Sequence, residues 1–164
     1  MAAPDYAIFV HRLTDADVEF VVIGATALVV HGSARVTHDL DICYARDAEN
    51  LKRLAKALRP LRPTLRGAPD TLPFALDAAT LQSGLNFTLQ TTAGDLDLLG
   101  EVTGLGTYAT VARMSAHEDL YDRRVRVLTL DGLERAKRAA GRLKDLADLA
   151  EIVEIRRRTE HRHA

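Results

Sequence analysis

The rhythm of apolar and polar residues changes several times along these 164 residues, and each change marks an element. Tyr6, Phe9, Val10 and Leu13 recur at helical spacing, which predicts a short helix over residues 5–16. Phe20 to Ile23 is an unbroken apolar run, the mark of a buried strand. Gly24 ends it, and Ala25 to His31 reads as a short buried helix stopped by Gly32. Asp39 to Tyr44 alternates strictly, with Leu40 and Ile42 on one face and Asp39, Asp41 and Cys43 on the other. Asp47 reads as the cap of a helix over Glu49 to Leu58, whose apolar side is Leu51, Leu54, Ala55 and Leu58. The proline-rich stretch from Arg59 to Pro73 is predicted to be a loop and the most mobile part of the chain.

Beyond the loop, Leu76 to Leu81 reads as a short helix. Leu85 to Gln90 and Asp95 to Leu99 form a predicted hairpin around Thr92-Ala93-Gly94. A glycine-rich segment, Gly100 to Gly106, precedes a helix over Tyr108 to Met114. A second hairpin is expected over Glu118 to Tyr121 and Val125 to Leu128. Two helices, about Leu130 to Ala140 and Lys144 to Arg157, flank Gly141 at the end of the chain. No repeat or linker interrupts the pattern, so one domain over residues 1–164 is expected.

Composition narrows the function classes. Apolar residues make up 47% and charged residues 27%, as in ordinary globular domains, and the net charge of −1 excludes a polycation built to coat nucleic acid. The sign is uneven: from Arg135 onward there are nine Lys/Arg against five Asp/Glu. Cys43 is the only cysteine, which excludes an intramolecular disulfide and a thiolate zinc cluster and leaves it as a small buried filler. No apolar run reaches the roughly 18–20 residues of a membrane span. The start of the chain lacks the basic head and long apolar centre of a signal peptide, so a cytoplasmic protein without a membrane partner is expected.

The candidate chemistry lies in the acids. Aspartates at i and i+2 of a strand point the same way, so Asp39 and Asp41 can share one or two metal ions. Asp95 and Asp97 repeat that geometry on a second strand. If the strands are neighbours, one of these supplies the third carboxylate that a two-metal mechanism uses as base or ligand. Four such groups on one face would repel one another without cations, which itself argues for metal. Upstream, Gly24 ends a strand and opens a helix, where free backbone N–H groups suit a phosphate. A dinucleotide-binding unit is excluded, because Gly24 lacks the companion glycines of that fingerprint.

Gly24-Ala25-Thr26-Ala27-Leu28 followed by Arg35-x-Thr37-x-Asp39-Leu40-Asp41-Ile42 resembles the active-site signature of the polymerase-β-like nucleotidyltransferase superfamily. Within it, the chain looks most like the small bacterial AbiEii-type proteins, which occur in toxin–antitoxin or phage-defence operons. Gly94-Asp95-Leu96-Asp97 resembles the strand bearing the third carboxylate, with Asp97 at the matching position. Lys137 to Asp145 resembles the lysine-rich C-terminal signature. The resemblance implies an α+β nucleotidyltransferase fold, a mixed sheet with helices packed on it and a C-terminal helical pair. It implies Mg²⁺, as a two-ion site, held by Asp39, Asp41 and Asp97, with Asp97 activating the acceptor hydroxyl. It implies an NTP donor bound by Gly24, Ala25, Arg35 and Lys144, with Lys137 the second candidate lysine. The acceptor would be an RNA or tRNA end or a protein side chain, and the partner a cognate toxin or antitoxin.

One residue departs from the signature: Ala25 stands where many members have Gly or Ser, so a hydroxyl contact to phosphate is missing. That departure motivates an alternative, a nucleotidyltransferase-fold binding module that acts as antitoxin or toxin partner without turnover. Outside the signature, Asp145 is expected to cap the last helix. Thr37 is expected to bond backbone or orient a carboxylate, and His31 and His38 to be structural or exposed. The basic tail with His161 and His163 is expected to be solvated.

Overall fold

A computed structural model describes residues 5–163. Residues 1–4, part of the stretch read as lacking a leader, and Ala164 lie outside the described residues. The first helix, α1 (Tyr6–Asp15), starts where the Asp5 carboxylate accepts the Ile8 N–H, and it buries Phe9, Val10 and Leu13. Strand β1 (Phe20–Ile23) is wholly buried and runs directly into α2 (Gly24–Val30). Strand β2 (Asp39–Tyr44) follows, then α3 (Ala48–Leu58), capped by Asp47. Buried Asn50 ties the β1 entry to the β2 exit: its amide bonds both Glu19 backbone groups and the Ala45 carbonyl.

The stretch expected to be an unstructured loop is partly built. A 3₁₀ turn over Arg59–Leu61 leads into β3 (Thr64–Leu65), an edge strand paired with β4 (Asn86–Thr91). Two residues between prolines are too short to carry a periodic signal, so only the pairing reveals them. Helix α4 (Ala78–Ser83) starts later than expected because Asp77 caps it. β4 and β5 (Gly94–Leu99) form the expected hairpin. The glycine-rich segment folds into a small hairpin, β6 (Glu101–Val102) and β7 (Gly106–Thr107), before α5 (Tyr108–Arg113). The second hairpin is β8 (Ser115–Leu120) and β9 (Arg123–Leu128). Helices α6 (Leu130–Ala140) and α7 (Leu143–Arg162) close the chain, separated by Gly141 in a left-handed cap.

Seven strands make one mixed sheet in the order β3-β4-β5-β2-β1-β9-β8. β2 is antiparallel to β1 and parallel to β5, and β1 is parallel to β9. Alternation along the central strands splits the sheet into two unlike faces. Leu40, Ile42, Leu96 and Leu98 are fully buried on one. The other presents Asp39, Asp41, Asp95 and Asp97, all half-buried.

Candidate active site

The parallel pairing of β2 with β5 builds the site. Its register sets Asp39 beside Asp95 and Asp41 beside Asp97. Carboxylate oxygens of Asp39, Asp41 and Asp97 lie within 4.8 Å of one another. Their strands are anchored by the buried leucines and isoleucine that alternate with them, so the spacing is fixed by the sheet rather than by loops.

Asp41 is the most perturbed member. Burial, then the neighbouring charges of Asp97 and Asp39, push its carboxyl up to about 7. Its Oδ1 is buried without a hydrogen-bond partner. Three converging carboxylates, one with an orphaned oxygen, are a hard, anionic oxygen set that suits Mg²⁺ or a similar divalent cation. A bound cation would relieve the repulsion that raises the Asp41 carboxyl.

Gly24 touches this group directly. Its φ is +65°, and a Cβ there would stand 2.2 Å from Asp41 Oδ2. Both the left-handed backbone and the close approach therefore require glycine. Ala25 follows, half-buried in the first turn of α2. Asp41 and Gly24 border a cleft of about 380 Å³. Its walls include Leu99, Val102, Leu133 and Lys137. The wall from α6 is held close by Gly104, where a Cβ would meet Ala139 Cβ at 2.4 Å.

The basic residues fall differently from the sequence reading. Lys137 lines the cleft, while Lys144 is exposed and outside its lining. Lys137 Nζ is 2.9 Å from Asp148 and 3.5 Å from Asp145. Arg35 also points to α7, pairing with Asp148 at 2.7 Å and with Glu151, and it does not line the cleft. Asp145 is not the cap itself: Arg142 occupies that position, and the Asp145 carboxylate accepts the Arg142 N–H at 3.0 Å from one turn inside. Arg142 also pairs with it at 2.8 Å, and these bonds pull the Asp145 carboxyl down to about 2.

Arg66 was not singled out from the sequence. It follows β3, and its Nη2 donates to Asp97 Oδ1 and to the Leu89 carbonyl, both at 2.8 Å. Its Nε stands 3.2 Å from Asp95 Oδ2, without the alignment of a hydrogen bond. No motif marks it, because it reaches the site only through the β3–β4 pairing.

Among the remaining candidates, the Thr37 carbonyl accepts the Tyr6 hydroxyl at 2.7 Å, and His31 bonds the Leu128 carbonyl. His38, His161 and His163 are exposed. Cys43 is fully buried, which raises its thiol to about 12 and leaves it inert.

The fold recurs in solved structures. The lincosamide antibiotic adenylyltransferase LnuA, solved with lincomycin bound, aligns over 94% of this chain and 99% of its own, with a TM-score of 0.59 and 14% identity. The fold is that of the nucleotidyltransferases. A Thermotoga maritima protein assigned as a nucleotidyltransferase shares this nucleotidyltransferase fold over 94% of this chain and 96% of its own, with a TM-score of 0.56 and 15% identity. ANT(2″)-Ia, solved with adenylyl-2″-tobramycin, covers 97% of this chain and 99% of its own, with a TM-score of 0.55 and 12% identity. No family model and no curated protein matches the sequence. Among the described residues, no helix is long and apolar enough to cross a membrane.

Proposed function

We propose that this chain is a divalent-metal-dependent nucleotidyltransferase that moves a nucleoside monophosphate from an NTP to a hydroxyl acceptor. The observation that carries the reading is the convergence of Asp39, Asp41 and Asp97 beside a glycine whose missing side chain leaves room for Asp41. Asp39, Asp41 and Asp97 would hold Mg²⁺, as a two-ion site. The metal would supply Lewis-acid stabilisation of charge building on the reacting phosphate. Gly24 and Ala25 would offer backbone N–H groups to the triphosphate. Lys137, on the facing wall of the cleft, is the better-placed lysine for phosphate than Lys144. Asp97 would take the proton of the acceptor hydroxyl as its oxygen attacks the α-phosphorus. The α–β phosphoanhydride bond then breaks, and pyrophosphate leaves with the bonding pair.

Two of the structural neighbours suggest one acceptor class to test. LnuA was solved with lincomycin and ANT(2″)-Ia with an adenylylated tobramycin, both small hydroxyl-bearing molecules. A small hydroxylic acceptor therefore joins an RNA or tRNA end and a protein side chain as a substrate class to test. The AbiEii-type resemblance adds a toxin–antitoxin or phage-defence setting, with a cognate partner encoded nearby. The deciding experiment incubates the protein with each labelled NTP and Mg²⁺ in three parallel arms: hydroxylic antibiotics, total RNA, and the neighbouring gene product. Label should move in one arm and be lost with Asp41→Ala. Persistent transfer by that variant sinks the proposed site. Nucleotide binding without transfer in any arm would instead support the non-catalytic module that Ala25 suggests.

A further inference from the structure

Four aspartates share one face at the β2–β5 junction, but only three converge. Asp95, the fourth, faces Arg66 at 3.2 Å. The guanidinium donates through Nη2 to the Leu89 carbonyl on β4 and to Asp97, and its Nε stands at ion-pair distance from Asp95. Its own backbone N–H bonds the Thr88 carbonyl, so the residue is an extension of the sheet edge rather than a free loop side chain. Asp97 is thereby held through Oδ1 alone.

We propose that Arg66 is the positioning residue for Asp97, holding Oδ1 so that the other oxygen is presented to Asp41 and to the metal, with Asp95 serving as the anchor of Arg66 rather than as a ligand. This rests on the nucleotidyltransferase reading given above. A planar guanidinium suits the task because Nη2 can serve Asp97 and the Leu89 carbonyl while Nε keeps its charge turned toward Asp95, a fixed arrangement that a rotating ammonium lacks. The same positive charge stands beside the metal ligands and weakens cation binding. Arg66 thus trades metal affinity for orientation of Asp97. The stretch expected to be a mobile loop takes part in the site through this one side chain.

The two effects separate in one experiment on the full chain. Mn²⁺ is titrated into the nucleotide-free protein by calorimetry, and kcat and KM for label transfer are measured in parallel. Arg66→Gln should bind Mn²⁺ about three- to tenfold more tightly, because a neighbouring charge is gone. Its kcat should fall about tenfold to a hundredfold, the usual cost of removing a residue that orients a ligand, with KM for the NTP little changed. Arg66→Lys keeps the charge and loses the fork: Mn²⁺ affinity should stay near wild type while kcat remains low. Asp95→Asn loosens the hold on Arg66 but removes a negative charge beside the site, so kcat should fall as in Arg66→Gln with a smaller effect while Mn²⁺ affinity falls rather than rises. Unchanged affinity and turnover in Arg66→Gln would overturn the assignment. A rise in both would also overturn it, making Arg66 a blocker. A wild type that binds Mn²⁺ but transfers no label counts against the proposed activity, and the Mn²⁺ comparison still decides Arg66. A wild type that binds no Mn²⁺ overturns both readings.

Discussion

Replacing Asp41 with asparagine should stabilise the metal-free protein above neutral pH. The Asp41 carboxyl stands at about 7 in the fold against an ordinary 3.8. Its folded form thus keeps a proton that the unfolded chain has given up. The stability this confers is complete below about pH 4 and disappears as pH rises through about 7. At about 1.36 kcal/mol per tenfold in proton affinity, the loss amounts to about 4 kcal/mol at pH 8 and about 1 kcal/mol at pH 4.5. Screening by solvent at the open side of the site brings the upper figure to about 2–4 kcal/mol. A domain of this size gains about 2–4 °C in Tm per kcal/mol, so Asp41→Asn should melt about 5–15 °C above wild type at pH 8 in EDTA. The gap should shrink severalfold at pH 4.5. Excess Mg²⁺ should close much of it at pH 8 by stabilising the wild type alone. Thermal melts read by circular dichroism across pH 4.5–8.5 test this. A wild type and variant separated by the same Tm at every pH would refute the reasoning, because only a titrating Asp41 can make the gap depend on pH.

Three further outcomes follow from the same geometry. Gly24→Ala should cost about 2–3 kcal/mol in urea unfolding, from its left-handed backbone and its collision with Asp41, and adding Asp41→Ala should restore part of it; strictly additive losses would disprove the contact. Lys137→Ala should raise KM for the NTP by about tenfold or more, whereas Lys144→Ala should stay within about twofold, and equal effects would contradict the cleft assignment. Asp145→Ala should lower stability by about 1–2 kcal/mol at pH 7, since it removes the carboxylate that accepts the Arg142 N–H at the helix start and weakens the hold on Lys137. Because the Asp145 carboxyl lies near 2 in the fold, its contribution is present above about pH 4 and fades as pH falls toward 2, so the penalty should shrink in acid.

Much of this site was legible in the order of residues. The alternation from Asp39 to Tyr44 put two acids on one face, and the hairpin around Thr92-Ala93-Gly94 did the same for Asp95 and Asp97. What alternation cannot give is which strand lies beside which. The β2–β5 pairing that selects Asp97 is a long-range choice made by the whole sheet. Arg66 was hidden for the same reason, since a two-residue edge strand has no period to detect. Lys137 and Lys144 sit seven residues apart around a glycine cap, and only the turn at Gly141 decides which faces the cleft. Asp145 illustrates a near neighbour of the expected role: the acid does serve the helix start, but from the third residue inside it.

The β2–β5 junction also has a kinetic side. The β4–β5 and β8–β9 hairpins close short loops, whereas Asp39 and Asp95 meet across 56 positions of chain (95 − 39). Closing that distance costs loop entropy, and here it also gathers four aspartates, two of them paired with Arg66. Forming this junction therefore brings like charges together as the active site is assembled. A divalent cation in the refolding buffer would act on the barrier as well as on the finished fold: stopped-flow refolding should quicken with Mg²⁺ in the wild type and not in Asp41→Asn, and equal acceleration of both would separate the junction from the rate-limiting step.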